Sequence, residues 1–200
     1  MTPHDPDPRA TLLDLLVRYA REGAAAAAAA AEFARFVQDH DDCLLRRCVP
    51  GHITASAWIL SADAQRCLLT HHRKLDRWLQ LGGHVDGEPQ VHRAALREAQ
   101  EESGMAVFEL LAPGAELLPL DLDVHPIPAR GAEPRHLHWD VRFLLRALPG
   151  QPLVLSAESK DLRWIPRDAL GELTSEESVL RLERRAARWL AGGVQVVAAD

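Results

Sequence analysis

Three glutamates, Glu98, Glu101 and Glu102, stand at i, i+3 and i+4. On a helix they fall within a wedge of about 100°, so their carboxylates converge. Like charges at that spacing repel one another and cost the helix stability. Ala95, Leu96 and Ala99 occupy the adjoining arc, which places the acidic wedge at the border of the buried face. Carboxylates crowded at the edge of a core call for a cation, and hard divalent ions such as Mg²⁺ take oxygen ligands. A solvated acidic face is the plainer reading of the EAQEE run taken alone. Two neighbours weigh against it. Arg97 directly precedes the cluster and can pair with a carboxylate, and Gly82-Gly83 lets backbone approach a ligand closely.

Other residues could serve a site of this kind. Asp121, Asp123 and His125 alternate, as do His136, His138 and Asp140, so each set shares one side of a strand. If the two strands pair, these polar faces meet. They would then form a substrate-recognition wall, a transition-metal site or a solvated face. His71, His72, Arg73 and Lys74 form a basic cluster suited to substrate phosphates or to a solvated loop. Trp78 reads as core or as a stacking surface for a base. Glu158 is a candidate further ligand or base in a loop before Trp164, itself a buried strand anchor by composition. No nucleophile-elbow motif, P-loop or G-x-G-x-x-G fingerprint is present.

The elements that must position these residues follow from periodicity. Helices are expected over 11–22 and 24–40, broken at Gly23, with apolar stripes Leu12, Leu13, Leu15, Leu16, Tyr19 and Phe33, Phe36, Val37. The alanine tract between them needs only its helix propensity. Residues 51–60 and 66–71 read as a hairpin, and 78–83 as a short extended piece. A helix is expected over 91–103, stopped by Gly104. Strands are expected over 117–127, 136–145, 153–156 and 162–165. Helices follow over 168–173 and 175–191, the last capped by Ser175. Strands interleaved with helices indicate an α+β layered domain.

The chain has 200 residues, 47% apolar and 26% charged, with net charge −6. These are the proportions of a globular protein with a sizeable core. The acidic balance argues against a nucleic-acid duplex as partner. Cys43, Cys48 and Cys67 show no metal or disulfide spacing and read as reduced structural thiols. The N-terminus lacks the features of a signal peptide and no apolar run is long enough to span a bilayer, so a cytoplasmic location is expected. The two apolar stripes must be covered by the chain's own domain or by a second copy, which suggests a homodimer.

The segment Gly82–Met105, GGHVDGEPQVHRAALREAQEESGM, resembles the Nudix box. Its pattern is a Gly, five residues, Glu, seven residues, then Arg-Glu-U-x-Glu-Glu-x-Gly-U, with U bulky and apolar. Gly83, Arg97, Glu98, Glu101, Glu102, Gly104 and Met105 match, and Ala99 fills the first U position with a smaller residue. Pro89 stands where the first box Glu belongs, beside Glu88. The resemblance implies an αβα sandwich with a mixed sheet over roughly residues 50–170. With it comes a division into an N-terminal helical extension, 1–48, and a catalytic domain, 49–200. It also implies Mg²⁺- or Mn²⁺-dependent hydrolysis of a pyrophosphate linkage in a nucleoside diphosphate derivative or similar small molecule. Glu98, Glu101, Glu102 and the Gly83 carbonyl would hold the ion, with Arg97 in the catalytic set and one glutamate a candidate base. Pro89 leaves either Glu88 as a substitute or Arg97 short of a partner. Two alternatives accompany this reading. One is a non-catalytic Nudix-fold binding or regulatory module, and the other an isomerase on the same fold, for which no second-site Cys/Glu motif is present.

Overall fold

The computed structural model describes residues 7–131, 133–157 and 159–198. Helices α1 (Ala10–Tyr19) and α2 (Ala24–Asp39) lead into strand β1 (Gly51–Leu60). Strands β2 (Arg66–His72), β3 (Arg77–Leu79) and β4 (Leu81–His84) precede helix α3 (Val91–Ser103). Strands β5 (Phe108–Ala112), β6 (Asp121–Ile127), β7 (His136–Ala147) and β8 (Ser159–Pro166) follow. The chain closes with α4 (Leu170–Leu173), α5 (Glu177–Gly192) and β9 (Gln195–Val197).

β1 organises the molecule. All ten of its residues are buried. It runs parallel to β7 from the Gly51↔Leu137 pair to Leu60↔Arg146, and antiparallel to β4 through Thr54↔His84 to Ala57↔Leu81. The hairpin expected between β1 and β2 survives only as two paired positions, Ile59↔Leu68 and Leu60↔Cys67. β2 instead pairs with β8 along its length, and with β3. The result is a mixed sheet.

Side chains alternate across a strand, and the two faces of β1 bury against different helices. Ile53, Ala55, Ala57 and Ile59 join Val141, Phe143 and Leu145 in one cluster with residues of α1, α2 and α3. Trp58, Leu60 and Leu144 join Leu170, Val179, Leu182 and Ala186 on the other side. The sheet is thus sandwiched between helix layers, as the sequence leads one to expect. The N-terminal stripes are covered within one chain. Leu12, Leu16, Tyr19, Phe33 and Val37 are all at most 1% exposed. Phe36 stacks on Trp139 at 4.3 Å between centroids, and Phe33 meets the same ring edge-on at 5.1 Å. These stripes therefore supply no reason for a second copy.

Several boundaries differ from expectation. The strand expected over 117–127 begins only at Asp121, since Pro119 has no N–H to donate to a ladder. Residues 153–156 are not a strand, although the Val154 N–H reaches the Ser103 carbonyl at 2.8 Å. β5 and β9 were not foreseen. α5 begins at Glu177 without a side-chain cap, so Ser175 does not serve as one. The three cysteines are free and buried. Burial pushes the Cys43 thiol up to about 11 and those of Cys48 and Cys67 to about 12.

Candidate active site

α3 carries the three glutamates with Ala94, Ala95 and Ala99 buried beside them. Gly104 ends the helix in the left-handed conformation, its N–H bonded to the Gln100 carbonyl. The helix packs against β1 and β4. This brings Glu102, 7% exposed, to the backbone of β4, where its Oε2 accepts the Gly82 N–H at 3.0 Å. Glu98 lies against Gly83 so closely that a Cβ there would sit 2.7 Å from its carboxyl carbon. Gly82 has φ +156°, and a Cβ on it would collide with Ser56 at 2.3 Å. Gly82 is thus needed for the approach of β4 to β1, while a side chain at Gly83 would push the Glu98 carboxylate away from β4.

Arg97 is not short of a partner. Its Nη1 lies 2.8 Å from Glu98 Oε1 and 3.1 Å from Glu101 Oε2, and its Nη2 donates to the His84 carbonyl at 2.7 Å. Glu88 is occupied locally, its Oε1 accepting the Gln90 N–H at 2.9 Å. Pro89 lines a small cavity with Thr11, Leu12 and Leu15 of α1. The loop between β4 and α3 is clamped by a bidentate pair from Arg46 to Asp86, at 2.7 and 2.8 Å, and by the Gly87 N–H on the Leu44 carbonyl. The segment leading into β1 therefore holds the box loop where the missing glutamate would stand in the pattern.

The donor set suits a hard cation. Glu98 and Glu102, half-buried or deeper, lie against the Gly82-Gly83 backbone, while Glu101, 59% exposed at its side chain, is joined to Glu98 through Arg97. Carboxylate and carbonyl oxygens without sulfur or imidazole are what Mg²⁺ or Mn²⁺ takes.

The two alternating polar strands do meet. β6 pairs antiparallel with β7, setting Asp123 opposite Asp140 and His125 opposite His138. The aspartates are consumed by arginines. Arg142, 2% exposed, donates from Nε to Asp140 at 2.8 Å and from Nη2 to Asp123 at 2.8 Å. Arg181 of α5 reaches Asp121 at 2.8 Å and Asp123 at 2.6 Å. Asp140 also accepts from Thr54 at 3.1 Å and Ser56 at 2.8 Å. Burial alone would raise the Asp123 carboxyl. The His125 hydrogen bond and the charges of Arg142 and Arg181 outweigh it and hold that carboxyl well below the usual range.

His136 and His138 lie with His52 of β1 and His84 of β4, two histidines not singled out from the sequence. The available signal was the alternation His52, Thr54, Ser56, a polar face on a strand that otherwise reads apolar, and the histidine directly after Gly83. Desolvation, with the other basic groups, lowers His84 to about 4 and His138 to about 2, and lowers His52. Arg73 donates to the carbonyls of Ala157 at 3.1 Å and Ser159 at 2.8 Å. Trp78 stacks on His71 at 5.0 Å and meets the Arg163 guanidinium at 5.4 Å. Glu158 lies outside the described residues.

The glycine-flanked helix and its three carboxylates agree with the family-level comparison. The NUDIX domain model matches residues 50–189. The chain belongs to the Nudix family. No curated protein sequence matches it. Among solved structures, an Ap4A hydrolase binary complex from C. elegans superposes with TM-score 0.56 at 18% identity, covering 70% of this chain and 98% of that one. A NUDIX-family hydrolase from Clostridium perfringens gives 0.55 at 24% identity, covering 70% and 97%. RenU, a Nudix hydrolase from M. Smegmatis, gives 0.51 at 17%, covering 70% and 86%. At these identities the likeness establishes the fold. The Nudix match begins just after the first two helices, which nonetheless share its buried core. No helix among the described residues is long and apolar enough to cross a membrane.

Proposed function

We infer that this Nudix chain is a pyrophosphohydrolase that requires Mg²⁺ or Mn²⁺ and cleaves the P–O–P linkage of a nucleoside diphosphate derivative or a similar small molecule. One observation carries this reading: Glu98 and Glu102 meet the Gly82-Gly83 backbone, and Arg97 joins Glu98 to Glu101 one turn along the same helix. Glu98, Glu101, Glu102 and the Gly83 carbonyl would hold the ion. A divalent ion in such a site neutralises phosphate charge and acidifies bound water. The chain's own contribution is positional. The Gly82 N–H fixes Glu102 through one oxygen. Arg97 ties the helix to the end of β4 through the His84 carbonyl and offsets the repulsion between Glu98 and Glu101. One of these carboxylates, not coordinating at the moment of attack, would take the proton from water.

The fixed backbone matters as much as the charge, because electrostatic stabilisation works when the dipoles and charges need no reorganisation. Gly83 cannot be replaced without displacing Glu98. Ser56, Thr54 and Asp140 brace β1 against β7 directly behind Gly82, so the wall of the site is held on both sides.

The test is a phosphate-release screen over nucleotide sugars, ADP-ribose, dinucleoside polyphosphates, NADH, CoA and oxidised dNTPs, with Mg²⁺ and with Mn²⁺. Turnover that needs the ion and is lost in Glu102→Gln supports the reading. Tight binding of a nucleotide without turnover would favour a ligand-binding module instead.

A further inference from the structure

We propose that His52, His84 and His138 form a second metal site, built of imidazole nitrogens and selective for a divalent transition ion of the Zn²⁺ class. The three residues come from three hydrogen-bonded strands. His52 of β1 is directly opposite His138 of β7, and His84 of β4 is opposite Thr54, two positions along β1. One ligand nitrogen from each lies within 4.8 Å of the others, the one such group among the described residues. The ring centroids are 4.9, 4.9 and 5.2 Å apart.

An independent observation points to a ligand. His52 is 2% exposed, yet neither Nδ1 nor Nε2 completes a hydrogen bond, although the Cys48 backbone lies close enough to influence the ring. A buried imidazole normally satisfies at least one nitrogen, and coordination would satisfy this one. His136 is buried beside the three. Its Nδ1 is held by the Pro134 carbonyl at 2.9 Å, which leaves the Nε2 lone pair directed inward. That Nε2 is 3.3 Å from His138 Nε2, so His136 backs one of the three ligand rings. Arg46, whose charge is felt by His52 and His84, is paired in bidentate fashion with Asp86, and Glu133 stands 3.7 Å from His136.

Imidazole favours Zn²⁺, Ni²⁺, Cu²⁺ and Fe²⁺, while the carboxylates of α3 favour Mg²⁺ or Mn²⁺. Gly83 and His84 are consecutive on β4, so their side-chain positions point to opposite faces. The chain would thus hold a hard ion and a borderline one on the two sides of a single strand. This site does not depend on the hydrolase reading.

Full-length protein stripped with chelator is titrated with Co²⁺ and Zn²⁺ in excess Mg²⁺. The expected result is one tightly held ion per chain. Bound Co²⁺ should show the intense visible absorption of a four- or five-coordinate nitrogen site, and the melting temperature should rise with added Zn²⁺. His52→Gln and His138→Gln should each weaken binding by at least about tenfold. Glu98→Gln/Glu102→Gln should leave it intact. Circular dichroism checks each fold, and His84→Ala substitutes for His52→Gln if the latter fails to fold. No ion retained in excess Mg²⁺, uptake that survives His84→Ala with His138→Gln, or uptake lost with the glutamates would each overturn the proposal. The cluster would then be a hydrogen-bonded chain of neutral rings.

Discussion

Glu102 is buried on its helix side and fastened by the Gly82 N–H at 3.0 Å. Glutamine there keeps an oxygen acceptor and removes the charge. Glu102→Gln should lower kcat by at least about a hundredfold, the scale of one lost electrostatic contributor, with an unchanged far-UV spectrum. Near-wild-type turnover would remove Glu102 from the ion site. Pro89 behaves differently. It faces α1, Arg97 already has Glu98, Glu101 and the His84 carbonyl, and Glu88 is spent on the Gln90 N–H. Pro89→Glu should therefore leave the Mg²⁺ concentration for half-maximal rate unchanged, as should Glu88→Gln. A clear drop in that concentration for Pro89→Glu would show that the box glutamate is missed. The sequence exposed the carboxylates because their spacing is long, gapped and repeated on one helical face. It concealed His52 and His84, because a histidine beside a glycine carries no pattern of its own until the register of β1 with β4 and β7 is known.

At the scale of elements, the β6–β7 pair depends on Arg142. Its guanidinium is buried among Asp121, Asp123 and Asp140. Removing one partner of a buried charge cluster costs far more than the cluster contributes, and Arg142→Leu should destabilise the fold by about 3 kcal/mol or more in urea unfolding. The pH dependence follows from Asp123, whose folded carboxyl is depressed. The unfolded chain takes up that proton first, so the stabilisation is complete above about pH 4 and is lost as pH falls through the folded value. Stability should fall with pH below 4, and Asp123→Asn should flatten that slope while lowering stability at pH 7. An unchanged slope would mean that the carboxyl titrates normally. The pairing of these strands was legible in their matched alternation of Asp and His. Arg181 as a partner of these aspartates was not, because it comes from α5, whose placement over β6 no local pattern encodes. β5 and β9 escaped for a related reason: five and three residues are too short to show a period.

At the scale of the whole molecule, helices α1 and α2 are part of the core, although the Nudix pattern begins after them. Their alanines announced helices, but nothing in them named Trp139 as the surface they cover. Phe36→Ala should cost about 3 kcal/mol, the range for a buried phenylalanine truncated in a packed core. Deleting residues 1–45 should give a protein that aggregates or loses cooperative unfolding, since Trp139 and the α3 face of the sheet would be laid open. A soluble, cooperatively melting truncation would show that the helices are dispensable. Light scattering on the full chain reads its mass directly, and the buried stripes no longer argue for a dimer.

The three cysteines turn this architecture into its own reporter. Their thiols are buried and held far from the thiolate form at neutral pH, so an alkylating reagent reacts with them only when the chain opens. Cys43 and Cys48 lie in the connection between α2 and β1, while Cys67 is on β2 and packs with the α5 side of the sheet. The order in which they are labelled therefore dates two separate openings. Cys43 and Cys48 reacting well ahead of Cys67 would mean that the helical pair peels away while the sheet holds, and equal rates would mean that both layers come apart in a single event.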